Sequence, residues 1–288
     1  MDLLSGLEQF GINVEEQNEI FAEEKKKEQA KVQRPEKKEY VKVEQPEESF
    51  LFTKRIRCTI CDRVFDVRMV KSAIIKRMQP DFDLRPRFEN IDTLKYDIYA
   101  CPYCGYAAMG RYFEHLTKGQ IQLVKDSVCA SYKRTGDKVP DTYTYEQAVA
   151  RYKLALYNSM VKRGKTSEKA YTCLKISWLY RAMADETPTT TEEDTAKKTE
   201  YRELEEQFYK VAYDGFQNAL ATEDFPMCGM DSFTMDYLLA SMACHFRDFS
   251  YASKCVSNIL SSQVADRRTK DRALELKEQI IAEIKKNS

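Results

Sequence analysis

The chain has 288 residues, enough for one large domain or two small ones, and its 46 basic residues balance 46 acidic ones, so no net field draws it to nucleic acid or membrane. Two histidines, far apart in the sequence, exclude three-histidine metal sites and the H-E-x-x-H protease motif. Nine glycines with no G-x-G pair exclude the dinucleotide fingerprint, which leaves nine cysteines as the conspicuous chemistry.

No run of 18 apolar residues exists, so no membrane span is predicted. The first residues carry Asp2 and Glu8 and lack the basic start and apolar stretch of a secretion signal. A cytoplasmic location with reduced thiols is the expectation. There, C-x-x-C pairs point to metal rather than to a disulfide framework.

Residues 1–50 hold 8 basic and 13 acidic side chains, mostly Glu, Lys and Gln beyond Glu15, and read as a charged, largely disordered tail. Leu3, Leu4, Leu7 and Phe10 at its start have helical spacing and predict a short apolar helix, suited to docking on a partner or packing on its own domain. Residues 51–106 read as β and turn, with strand-like runs at Phe50–Phe52, Ile56–Ile60, Val64–Val70 and Tyr96–Ala100. The stretch 51–140 holds 17 basic against 10 acidic residues, and Arg55, Arg57, Arg63, Arg68, Lys71, Lys76 and Arg77 crowd its first half.

From Ala107 the pattern turns helical and predicts a domain over 107–288, its first helix running to Tyr132 with Gly119 as a break. Thr144 with Gln147 predicts a capping box ahead of an inward stripe of Val149, Tyr152, Leu156 and Met160. The partner helix carries Ala170, Cys173, Leu174, Ser177 and Trp178 on one face. Thr190 with Glu193 predicts the cap of a long helix whose stripe is Tyr201, Leu204, Phe208, Val211, Gly215 and Ala219. Three more helices follow near 231–246, 249–263 and 267–286, with Asp248 and Asp266 as N-caps of the last two. Leu239, Ala240, Ala252 and Val256 stand at the offsets of tetratricopeptide packing residues, although Asp236 replaces a bulky side chain and no proline closes the unit.

Four cysteines form two pairs, Cys58-Thr59-Ile60-Cys61 and Cys101-Pro102-Tyr103-Cys104, each after a strand-like run. Two thiolates three positions apart on a tight turn can meet one tetrahedral metal at about 2.3 Å per bond. Gly105 after the second pair, and Asp62 in the same place after the first, suit the left-handed backbone that aims N–H groups at the sulfurs. The 39 residues between the pairs exceed the usual spacing of about 15–20, so an insertion near 71–95 is predicted. Four cysteines leave no open coordination position, and structural Zn²⁺ held by Cys58, Cys61, Cys101 and Cys104 is the expectation. His115 is the other candidate ligand. Cys129, Cys173, Cys228, Cys244 and Cys255 read as packing.

The segment D-L-R-P-R-F-E-N-I-D-T-L-K-Y-D-I-Y-A-C-P-Y-C-G-Y-A-A (Asp83–Ala108) resembles a bacterial family catalogued as domain of unknown function 2225. So do A-R-Y-K-L-A-L (Ala150–Leu156) and L-K-I-S-W-L-Y-R (Leu174–Arg181). Thr59 and Asp62 depart from the family's C-P-x-C-G form of the first pair. The resemblance implies a zinc-ribbon-like module joined to a tetratricopeptide-like helical domain, without an established activity. The fold class expected is therefore α+β, mostly α, with a small zinc-ribbon-like β module ahead of antiparallel helical hairpins. The function expected is a zinc-binding scaffold for a protein or peptide partner on the helical domain. The alternative is nucleic-acid binding through the basic module. Residues 83–88 also predict a pocket of basic and aromatic groups with no nucleophile or base assigned to it.

Overall fold

The structure, a computed structural model, describes residues 45–134 and 139–286. The apolar stripe at Leu3–Phe10 and the charged stretch to residue 44 lie outside the described residues. A 3-10 turn over Glu47–Phe50 leads into β1 (Leu51–Arg57), which pairs antiparallel with β2 (Val64–Val70) from Leu51 opposite Val70 to Arg57 opposite Val64. Phe65 and Val67 of β2 point inward with the period-2 alternation of a sheet with one covered face, whereas β1 buries only Leu51 and Ile56, which lie five residues apart.

A second hairpin pairs β3 (Ile98–Ala100) with β4 (Ala107–Met109). The first predicted helix therefore does not begin at Ala107. Residues 107–109 are a strand, buried on both faces: Tyr106 and Ala108 join the core around the cysteines, whereas Ala107 and Met109 join the helical core. A strand covered on both sides has no polar alternation, so the run Tyr-Ala-Ala-Met carries no period that separates it from helix. The helix begins only at α1 (Lys118–Val124), where Thr117 and Gln120 form a capping box, and it continues through a π turn at Lys125–Cys129. Gly119, with open space where a Cβ would stand, does not break it.

Five helices complete the described chain after α1: α2 (Tyr145–Val161), α3 (Thr166–Glu186), α4 (Glu192–Leu220), α5 (Ser232–His245) and α6 (Phe249–Ser261), and a sixth, α7 (Arg267–Lys286), ends it. Thr144 and Gln147 cap α2 as the sequence predicts, and Asp248 and Asp266 accept from the N–H groups of Tyr251 and Thr269. The α4 box sits one residue later than predicted, on Thr191 and Asp194. Asp194 also accepts from the Thr190 hydroxyl, and Glu193 is drawn into an ion pair with Lys197.

Consecutive helices joined by short links pack side by side as hairpins, most extensively α3 on α4 and α5 on α6. Leu239, Ala240, Ala252 and Val256 are all buried between α5 and α6. Two stripe residues face out instead: Met160 is 59% exposed and Val211 56%. The inner end of α2 is given to Asn158 and Ser159. The Asn158 amide donates to the Gly105 carbonyl, so α2 turns that face to the second cysteine hairpin. In α4 the buried side is Tyr209, Ala212, Tyr213, Phe216 and Ala219, and a Cβ on Gly215 would stand 2.8 Å from that of Ala170 on α3.

The predicted insertion between the cysteine pairs docks on these helices through charge. Leu84, at φ 66°, turns the chain so that Asp83 and Arg85 on either side are both buried. Asp83 accepts from Trp178 Nε1 at 2.8 Å and pairs with Arg181 at 2.8 Å, and Arg181 also pairs with Glu205 of α4 at 2.6 Å. Burial works against the Arg181 charge, but Asp83 and Glu205 more than offset it and hold its pKa above the ordinary guanidinium value. Farther along, Lys175 of α3 pairs with Asp97, which also accepts from the Tyr152 hydroxyl at 3.3 Å. No helix among the described residues is long and apolar enough to cross a membrane.

Candidate metal centre

Each cysteine pair occupies the turn of one hairpin, and the two turns share one hydrogen-bond pattern. The N–H of Cys58 donates to the Arg63 carbonyl and that of Asp62 to the Cys58 carbonyl, both at 2.9 Å. In the second turn Cys101 donates to Tyr106 at 2.8 Å and Gly105 to Cys101 at 3.1 Å. The closing residue is left-handed in both, Asp62 at φ 62° and Gly105 at φ 75°. That conformation aims backbone N–H groups at sulfur: Ile60 and Cys61 donate to Cys58, Tyr103 and Cys104 to Cys101, and Tyr106 to Cys104. Asp62 is also held by a bidentate pair with Arg57 at 2.9 and 3.0 Å, a side-chain brace that Gly105 lacks.

Folding brings all four sulfurs within 4.8 Å of one another, with Cys58, Cys101 and Cys104 buried and Cys61 partly open. Cys58 and Cys104 are 3.6 Å apart, as are Cys61 and Cys101. A tetrahedral ion about 2.3 Å from each sulfur needs sulfurs about 3.8 Å apart, so the donor set and its spacing fit a metal ion. Hydrogen bonds from Cys104 and Cys58 hold the Cys101 pKa below that of a free thiol. The shared hydrogen bond with Cys101 pushes both of those thiols up. A bound cation would favour the thiolate at every position, so its binding would release protons. His115 is exposed and lies outside the four-sulfur cluster.

Apolar support is thin. Ile56, Ile60, Phe65, Val67, Tyr106, Phe113, Val124 and Val128 are the large buried side chains around the sulfurs. Phe113 is the hub, with Tyr106, Tyr99 and Phe65 rings at 4.7, 5.8 and 5.9 Å. Of the remaining cysteines, Cys173 and Cys255 are buried in the helical core, Cys228 and Cys244 are half-buried, and Cys129 packs against the cysteine cluster.

Four of the seven basic residues that crowd this region stand beside acids. Arg55 pairs with Asp66, Arg57 with Asp62, Arg68 with Asp141 and Lys76 with Glu89, and Arg63 stacks on the Tyr103 ring at 5.1 Å. The 83–88 segment lines a cavity of about 400 Å³ with Arg85, Arg87 and Phe88, where Lys95 pairs with Glu47 and Arg85 with Asp92. A second cavity, of about 470 Å³, opens where the 81–83 loop faces α3, α4, α5 and α7. Phe82, 48% exposed, stands at this cavity with Tyr209, Phe249 and Leu276, and His245 there pairs with Glu206 at 2.7 Å. Sequence reasoning missed this second cavity. Its one signal was Arg181, a charge three residues after Trp178 on an otherwise apolar helix face.

A family model described as an uncharacterised protein conserved in bacteria (DUF2225) matches residues 51–280. No curated protein and no solved structure matches the chain.

Proposed function

The chain belongs to this uncharacterised bacterial family, and from that premise we propose that it is a cytoplasmic protein–protein interaction scaffold stapled by structural zinc. In this reading the two cysteine hairpins form the zinc-ribbon-like module, its end moved from residue 106 to Met109 because β4 pairs with β3, and the tetratricopeptide-like hairpins from α2 onward present the partner surface. Zinc is the metal of choice because four thiolates in a closed tetrahedral set suit a soft, redox-inert cation and leave no position for substrate. The metal's part is architectural: Cys58, Cys61, Cys101 and Cys104 would hold it, and it would fix the two hairpins to each other.

The observation that carries the scaffold reading is the cavity beside Phe82, a recess between the 81–83 loop and the helices where Phe82, Tyr209 and Phe249 stand among charged and polar side chains. Partner recognition concentrates on exposed aromatic anchors that a partner can desolvate. Affinity capture from a bacterial lysate with the full chain, beside a Phe82→Ser variant, tests it. The expected result is a retained protein that the variant loses by about fivefold or more, with its own melting temperature unchanged. No retained protein, or equal retention by the variant, would contradict the scaffold. Nucleic-acid binding has less support, because the acids paired with Arg55, Arg57, Arg68 and Lys76 weaken the local field.

A further inference from the structure

The cavity of about 400 Å³ beside residues 85–88 belongs neither to the metal centre nor to the partner surface, and its walls come from two parts of the chain. One wall is the insertion, which turns in at Leu84 and out at Asn90, both left-handed. Between them Met78 donates its N–H to the Arg87 carbonyl at 2.9 Å, and Glu89 donates to the Lys76 carbonyl at 3.0 Å, which fixes the backbone of the wall. The other wall is the end of α3, with Tyr145 of α2 beside it. The volume falls within the range of small-molecule sites, about 300–1,000 Å³.

Most charges on these walls already have partners. Lys95 pairs with Glu47 at 2.7 Å, and Asp185 pairs with Arg202. Asp92 accepts from Arg85 Nη2 at 3.2 Å and from the Leu94 N–H at 3.0 Å. Two capacities are left over. Arg85 is 4% exposed, yet its Nε and Nη1 have no acceptor; the nearest carboxylate to Nη1, that of Asp81, is 3.9 Å away. Arg87 beside it stands 3.8 Å from the same Asp81. On the opposite wall Glu186 accepts only from the Tyr145 hydroxyl, at 3.0 Å, and no cation among the described residues pairs with it. That hydroxyl also lies 3.3 Å from Asp92, and its one proton serves one carboxylate at a time. A simple anion entering this cavity would face four carboxylates, and a simple cation would face three basic groups. A ligand bearing both charges answers the spare donors and the spare carboxylate together.

We propose that this cavity binds a free amino acid with an apolar side chain. Its carboxylate sits on Arg85 and Arg87, its ammonium group on Glu186, and its side chain against Phe88, Ile91 and Ala182. Guanidinium donors suit a carboxylate because their N–H groups lie in one plane at fixed angles. Asp92 orients Arg85 from behind, so the arginine meets the ligand without losing its ion pair. Burial of Arg85 keeps water from screening that contact. The inference is independent of the metal and of the scaffold.

The test screens each free L-amino acid against the full chain by thermal shift, then titrates the strongest by calorimetry beside its N-acetyl and amide derivatives. The expected result is saturable one-to-one binding of an amino acid with an apolar side chain, weakened about tenfold or more by either blocking group. Arg87→Gln and Glu186→Gln alter exposed side chains and should each weaken binding by about tenfold, with the melting temperature of the free protein unchanged. The amide should be indifferent to Arg87→Gln, and the N-acetyl derivative to Glu186→Gln, because each already lacks the charge that the altered residue meets. No saturable binding by any amino acid, equal binding of the blocked derivatives, or full affinity in both variants would overturn the proposal.

Discussion

Around the cysteines, a handful of large side chains centred on Phe113 encloses four sulfurs. Between the helices, Trp178, Tyr152, Phe216, Leu174, Ile176 and Leu179 are fully buried in a far larger core. Burying one such side chain contributes about 1.5–3 kcal/mol, so the helical region can accumulate its stability from packing alone. The hairpin region buries far fewer, and a metal ion on its four thiolates, with an apparent binding energy of about 10–16 kcal/mol, would be the largest single contribution there. Folding by burial spreads the risk over many residues. Folding by metal, as proposed for the hairpins, would concentrate it on four.

The two regions meet in the β3–β4 hairpin, whose residues alternate between the cores. Asn158 of α2 donates to the Gly105 carbonyl at 3.0 Å, and Arg151 to the Ile98 carbonyl at 2.6 Å. Loss of the metal should therefore unravel the hairpins first and reach α2, leaving α5 to α7 intact.

The largest effect is expected from Cys101→Ser. It should abolish metal binding, forfeiting about 10–16 kcal/mol of apparent binding energy, and should strip hydrogen-exchange protection from β1 to β4 first and then from α2, leaving α5 to α7 protected. Protected hairpins in that variant would erase the contrast between the regions. Phe216→Ala should cost the helical core about 3–5 kcal/mol in urea denaturation while elemental analysis finds undiminished metal. Metal lost together with that stability would mean one cooperative core. Asp83→Ala leaves Trp178 Nε1 without its acceptor and Arg181 with fewer carboxylates, and should lower stability by about 1–3 kcal/mol. Because that contact joins the insertion to the helices, the loss should appear in both regions. Thr144→Ala removes only the α2 cap and should cost about 1 kcal/mol, read as a small shift of the thermal midpoint with metal unchanged.

Much of this was legible from local chemistry. The C-x-x-C spacing places two sulfurs on one turn, and the residue after each pair announces the left-handed closure observed at Asp62 and Gly105. Threonine and aspartate caps fix where α2, α6 and α7 begin. What escaped depends on partners distant in the chain. Residues 107–109 form a strand because cores press on both faces, and no local period records that. Met160 and Val211 fit helical stripes, but which side of α2 and α4 is covered was settled by Gly105 and Ala170, on neighbouring elements. Asp83 finds Trp178 across 95 positions, and Cys129, alone on a helix, packs against the cysteine core only through the fold.

The most direct test of the central claim is the metal stoichiometry of the full-length protein purified without added metal or chelator. One zinc ion per chain, lost with the hairpins' hydrogen-exchange protection on chelation, is the predicted result. A metal-free protein whose β1–β2 and β3–β4 hairpins are nevertheless protected from exchange would contradict it.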